Sequence, residues 1–205
     1  MAKTFKIYTD GAATMKQENG KYKRVSGGWA FVLLDEQENV IKTTMGGAAK
    51  ATNNAMELEA INAALQDVYL SDYQGCIIEI YSDSAYCVNI FTKWIEGWRA
   101  NGWTRGKDHK EIENIDKIMS IDDRIHRLGN RFCDVRFIKV KGHEGNKWNE
   151  YVDMCAVAGK KYVEENNSKN SPYYEYSVTG YMYKDGIMER QTAREIPVTN
   201  IDLGF

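Results

Sequence analysis

Polar and apolar residues alternate from residue 4 to 9, with Phe5 and Ile7 facing one way, and this period of two predicts a strand. Trp29 to Leu34 predicts a second strand, entered through Gly27-Gly28. Val40 to Met45 predicts a third, after the polar turn Asp35-Glu36-Gln37-Glu38-Asn39. These three read as an antiparallel meander, with residues 14–26 as a long, flexible, lysine-rich hairpin loop between the first two. From about Asn53 to Tyr69 the spacing changes to three and four. Glu57, Ile61, Leu65 and Val68 then share one stripe of a helix, with Glu57 at its N-terminal end. Glu59, about 200° around that helix, is expected in solvent. Glu57 points towards the sheet, where an unpaired carboxylate is costly.

Cys76 to Tyr81 is apolar except for Glu79 and predicts a central strand. Ser82-Asp83-Ser84 then opens a helix running into Phe91. A Trp-rich segment, Lys93 to Lys107, precedes a helix from about Asp108 to Leu128. Ile112, Ile115, Ile118, Met119, Ile125 and Leu128 form its apolar side, and His109 and His126 its solvated part. Cys133 to Val140 predicts a fifth strand, and a final core helix runs from about Asn146 to Val163, with Asp153, Ala156 and Val157 on one face. Three strands, helix, strand, helices, strand, helix is an α/β order. It predicts a mixed five-stranded sheet, a three-strand antiparallel meander plus two parallel strands, flanked by helices. Residues 1–163 would form this domain and residues 164–172 a polar linker. Residues 173–205 would form a Tyr-rich extension too short for its own core. Lys184-Asp185-Gly186 marks a β-hairpin within it.

Composition changes this picture little. The net charge of −2 means that nucleic-acid binding needs a local basic patch. Cys76, Cys87, Cys133 and Cys155 show no metal-ligand or redox spacing and are expected as reduced, buried thiols. The strand-like run almost at the first Met leaves no room for a signal peptide, and no apolar run is long enough to span a membrane. A reducing cytoplasm, no membrane and no obligate protein partner are the expectations.

The chemistry lies in four acids. Singly, each has a bland reading. Asp10-Gly11 suits a turn, Asp83 suits a helix cap, and Glu57 and Asp153 could be solvated helix residues. Jointly these readings fail, because Asp10 and Asp83 end strands while Glu57 and Asp153 sit at core-facing helix positions. In an open α/β sheet, ligand chemistry collects beyond the carboxyl ends of strands. Four converging carboxylates would repel one another unless cations sat among them, and an oxygen-only set suits Mg²⁺ or Mn²⁺. Asn53 and Asn54 near a helix start can reach sugar or base edges, and the helix end favours phosphate.

Six motifs then make the pattern specific: Tyr8-Thr9-Asp10-Gly11; Gly27-Gly28-Trp29-Ala30; Thr52-Asn53-Asn54 with Met56-Glu57-Leu58; Ser82-Asp83-Ser84 with Tyr86-Cys87-Val88; Trp98 with Gly102-Trp103; and Val140-Lys141-Gly142-His143 with Gly145, Asn149-Glu150 and Asp153. With these motifs, residues 4–162 resemble the type 1 ribonuclease H family. The resemblance implies a ribonuclease H-like fold and an endonuclease that cuts the RNA strand of an RNA–DNA hybrid duplex. It implies two Mg²⁺ ions (with Mn²⁺ as a substitute), bracketing the scissile phosphate, and products with 5′-phosphate and 3′-hydroxyl ends. Asp10, Glu57, Asp83 and Asp153 would be the metal and catalytic carboxylates, with Asp10 bridging the ions. His143, between glycines, would serve proton transfer or product departure.

Gly11, Thr52, Asn53, Asn54 and Ser84 would lie on the hybrid. Trp98, Arg99 and Trp103 would belong to a protruding handle that also touches it, with plain internal packing as the alternative for the tryptophans. Lys93, Arg99, Arg105 and Lys107 make that handle less basic than the family often shows. The tail has no counterpart in the resemblance, and a substrate clamp, a dimer contact or a simple surface cover are its candidate roles. A non-catalytic hybrid-binding module and another two-metal nuclease of the same fold, such as a junction resolvase, are the competing readings.

Overall fold

The computed structural model describes residues 2–142 and 145–166, together with four short strands in the C-terminal extension. Five strands form the body of the sheet: β1 (Thr4–Glu18), β2 (Lys21–Leu34), β3 (Val40–Ala49), β4 (Ile77–Ser82) and β5 (Asp134–Lys139). Their order is β5-β4-β1-β2-β3. β1, β2 and β3 are antiparallel, and β4 and β5 run parallel to β1, as the order of elements requires. Beyond β3 the sheet continues through β6 (Tyr173–Ser177) and β9 (Arg194–Ile196) of the extension, so β6 covers the β3 edge. In sequence between them, β7 (Tyr181–Lys184) pairs antiparallel with β8 (Ile187–Arg190); the Asp185-Gly186 turn expected there lies outside the described residues.

From Ser26 to Leu34, β2 is buried on both faces, and these residues divide between two cores. Trp29, Phe31 and Leu33 join Phe5 and Ile7 under α1 (Asn53–Leu70) and α4 (Ile115–Gly129). Ala30, Val32 and Leu34 join Tyr8 under α5 (Lys147–Asn166). A Cβ on Gly28 would stand 2.0 Å from the carbonyl oxygen of Ala156, so α5 lies with its backbone against the sheet. That approach carries the α5 acid, Asp153, towards the strand ends. All four cysteines are free and buried, and no helix among the described residues is long and apolar enough to cross a membrane.

Several expectations are corrected. The long loop at 14–26 is instead an extension of β1 and β2, closed by a two-residue turn with Glu18 opposite Lys21. Asn19 and Gly20 both take positive φ, 51° and 74°, the turn that Asn-Gly favours because its twist matches the strands. The helix expected from Asp108 starts only at Ile115, because Asn114 is left-handed at φ 60° and breaks the run. Ile112 is buried from the preceding loop, His109 lies off the helix, and Met119 and Val157 are exposed. Glu59 is half-buried and ion-paired to Lys117 of α4, since α4 packs over that side of α1. α5 also runs on to Asn166, and Glu164 on its last turns accepts a hydrogen bond from Ser26 at 2.6 Å.

Candidate active site

β1 and β4 part company just past the Tyr8–Tyr81 pair, and Asp10 and Asp83 stand in the opening. Asp83 follows the last residue of β4. The next helix, α2 (Ala85–Asn89), is capped by Ser84, whose Oγ accepts from the Cys87 N–H at 3.3 Å. Ser82 Oγ accepts from the Ser84 N–H at 3.0 Å. Asp83 is therefore not needed as a cap, and its bland reading falls. Across the opening, Thr52 caps α1 by accepting from the Ala55 N–H at 3.2 Å, which places Glu57 one turn into the helix on its buried side.

Asp10, Glu57 and Asp83 each offer a carboxylate oxygen within 4.8 Å of the others. Asp10 and Glu57 are buried, and Glu57 Oε2 has no hydrogen-bond partner. Asp153 of α5 comes close enough to Asp10 to act on it by charge and through a side-chain hydrogen bond. Burial is the largest cause raising the Asp10 carboxyl, followed by the charge of Asp83 and then Asp153, and together they push it from 3.8 to about 7. Glu57 is raised well above its ordinary range, first by burial and then by Asp10 and Asp83. Carboxylates that resist ionising beside an orphaned buried oxygen are a site short of positive charge. Its all-oxygen donors fit a hard divalent cation.

The sign of the shifts yields a testable consequence. A raised acid contributes stability that is present below its unfolded value, near 3.8 for Asp10, and is lost as pH rises through about 7. A cation held by the ionised cluster reverses that loss. Mg²⁺ is expected to raise the thermal midpoint by several degrees at pH 8 and by little at pH 5. Scanning calorimetry with and without Mg²⁺ at both pH values checks it, and an equal shift at both would contradict the account.

The RNase H family profile matches residues 2–161. The chain belongs to the RNase H family. It is 38% identical to the ribonuclease H of Chlorobium phaeovibrioides over 160 residues, covering 76% of this chain and 94% of that protein. It is also 36% identical to the ribonuclease H of Acetivibrio thermocellus, over 76% of this chain and 93% of that one. Among solved structures, the RNase H domain of PFV superposes with a TM-score of 0.65 at 20% identity, covering 79% of this chain and 97% of that one. That likeness shows the shared fold. As a ribonuclease H, the protein is an endonuclease and hydrolase.

Within this ribonuclease H the remaining positions take varied places. Asn53 is exposed and Asn54 half-buried at the start of α1, while Thr52 and Ser84 act as caps. Gly11 lies against the α1 backbone at Glu57. The handle is helical: α2 continues through a π turn at Ile90–Trp94 into α3 (Ile95–Ala100). Trp98 and Trp103 pack on the core, as their bland reading has it. Arg99 grips Asp122 of α4 through two nitrogens and reaches Glu96 at 2.6 Å, so its guanidinium fastens the handle to the body. An open pocket of ≈ 460 Å³ lies on the handle between Lys93, Trp94, Trp98 and Lys107. His143 lies outside the described residues.

One role escaped the sequence reading, although its residue stood in a motif. Asn149, 2% exposed, donates from Nδ2 to Asp83 Oδ2 at 3.2 Å and fixes that carboxylate from α5. Its signal was the four-residue spacing to Asp153, which puts both on one side of α5.

Proposed function

We propose that this ribonuclease H hydrolyses the RNA strand of RNA–DNA hybrids at the cluster of Asp10, Glu57, Asp83 and Asp153, using two Mg²⁺ ions for which Mn²⁺ can substitute. The reading rests above all on one observation: three carboxylates within 4.8 Å, one with a buried oxygen lacking any partner. The ions, when bound, supply a reactive hydroxide from water and charge for the leaving 3′ oxygen, which gives 5′-phosphate and 3′-hydroxyl ends.

The chain's own residues position that chemistry. Asp10 lies centrally, facing the other three acids. Asn149 holds the Asp83 oxygens in one orientation, so the cluster is preorganised before substrate arrives. Asn53 and Asn54, at the N-terminal end of α1, meet sugar or base edges of the RNA strand, with the Gly11 backbone and Ser84 alongside. Thr52 supports them as the cap of that helix. His143, which follows Gly142 in the sequence, serves proton transfer or product departure. The handle, with Trp98, Trp103 and the pocket edged by Lys93 and Lys107, receives the DNA strand.

The hybrid as substrate is supported by family membership, and a fold relative, LC11-RNase H1, was solved in complex with RNA/DNA hybrid (TM-score 0.53, 19% identity, 75% of this chain and 97% of that one). The catalytic domain, expected to end at residue 163, would run to the end of α5 at Asn166, with 167–172 as the linker and 173–205 as an extension. Hybrid, duplex RNA and a DNA four-way junction, incubated side by side in Mg²⁺, test the assignment. The hybrid alone should be cut, in its RNA strand, and EDTA should stop the reaction. Cutting of the junction with the hybrid intact would overturn it.

A further inference from the structure

The extended β1–β2 hairpin has no part in the fold's two cores. All ten residues from Met15 to Arg24 are exposed, and the large side chains of Met15 and Tyr22 stand in solvent. The arm is nevertheless well specified. Its strands stay paired to the tip, its turn is the Asn19-Gly20 pair, and a bulge at Val25, where the register passes from Thr14–Ser26 to Met15–Arg24, re-aims it. A shaped arm without a packing role points to a partner.

The charges say which chemistry. Lys16, Lys21, Lys23 and Arg24 face a single acid, Glu18, in a chain whose net charge is −2. Lys16 lies directly opposite Lys23, an arrangement that weakens a hairpin standing alone. Glu18 is engaged with Lys23. An anion bound between the strands would relieve the like-charged pair.

Position says where that anion comes from. The arm is the direct continuation of the strand that carries Asp10. Glu18 lies eight residue steps beyond Asp10, and at ~3.3 Å a step the tip reaches roughly 26 Å from the cluster. A duplex rising ~3.4 Å per step covers that distance in about 8 base pairs. The handle, by contrast, has Arg99 committed to Asp122 and Glu96.

We infer that the β1–β2 hairpin is a cationic arm that grips backbone phosphates of the hybrid well away from the point of cleavage. This rests on the proposed function for the identity of the duplex. The arm neutralises phosphates and adds affinity and salt dependence, leaving the chemical step alone. Acidic protein surfaces share its sign, but an arm leaving the carboxylate cluster itself is placed for the substrate.

The test is a fourfold variant, Lys16→Thr, Lys21→Thr, Lys23→Thr and Arg24→Thr, which keeps good strand formers on an exposed surface. Hybrid binding is read by fluorescence anisotropy between 50 and 200 mM KCl, in an Asp10→Asn background so that the duplex survives. With ~0.9 in slope per phosphate, losing four contacts should flatten log Kd against log[salt] by about 3.6 and weaken binding roughly tenfold or more. In the protein with Asp10 intact, kcat at saturating hybrid should stay within about twofold while KM rises. On a hybrid of about 8 base pairs centred on the site, which ends short of the tip, the two proteins should bind alike.

An unchanged salt slope on long hybrids overturns the inference. So does an equal loss on the short one, which would mean a diffuse field rather than contact. The two proposals fail separately. A chain that binds hybrids with the steep slope yet cuts none loses the proposed function and keeps the arm. A chain that cuts hybrids with an unaltered slope loses only the arm.

Discussion

Asp10→Asn is expected to lower hybrid cleavage by on the order of 10³-fold or more while hybrid binding stays within a few-fold of the unaltered protein. The exchange is nearly isosteric, so the fold has no reason to change. What changes is charge: the carboxylate that faces Glu57, Asp83 and Asp153 becomes neutral. The same loss should stabilise the metal-free protein. At pH 8 the Asp10 carboxyl, with its value at about 7, is forced to ionise among its neighbours, and Asn removes that cost. At pH 4 the acid is already protonated and the gain should vanish. Activity lost and thermal midpoint gained, with the gain present at pH 8 and absent at pH 4, is a pattern that a merely structural aspartate does not produce. Kinetics on a labelled hybrid and calorimetry on the same preparations read both signs, and undiminished cleavage would remove Asp10 from the site.

The second large effect belongs to a residue with no functional side chain. A Cβ on Gly11 would lie 2.2 Å from the Glu57 nitrogen and 2.4 Å from the Met56 carbonyl carbon, with the Glu57 Cα also within 3 Å. All of these are backbone atoms, so no rotamer change relieves the clash and α1 must move away from β1. Gly11→Ala should cost about 3 kcal/mol or more, as overpacking does at its upper end, and lower the midpoint by roughly 6–12 °C. Glu57 rides on the displaced turn. A misplacement of about 1 Å at such a site can cost on the order of 10²-fold in rate. Surviving folded protein should therefore show lower kcat even below its melting range. A variant as stable and active as the parent would mean that the β1–α1 approach does not set the Glu57 position.

Much of this was legible in the chain before any coordinates. The strand order followed from counting elements. The placement of Glu57 followed from helix period alone, because Ile61, Leu65 and Val68 fix which side of α1 is buried. What remained hidden had physical causes. The hairpin arm at 15–24 carries no apolar alternation, since neither of its faces is buried, so its only local mark was Asn19-Gly20. The late start of α4 depends on a left-handed Asn114, while the isoleucine period runs on through the loop before it. Arg99 reads as a handle cation until Asp122, 23 residues on, is found beneath it. Asn149 was visible as a motif member, but its bond to Asp83 spans 66 residues and needs the fold.

The central claim is that Asp10, Glu57, Asp83 and Asp153 form one cation-holding site. Anomalous diffraction from crystals of the protein soaked in Mn²⁺ measures this most directly. The account predicts a strong peak within coordination distance, ~2.0–2.3 Å, of Asp10 and at least one of Glu57 and Asp83. No peak at the cluster, from protein that cleaves hybrid in the same Mn²⁺, would contradict it.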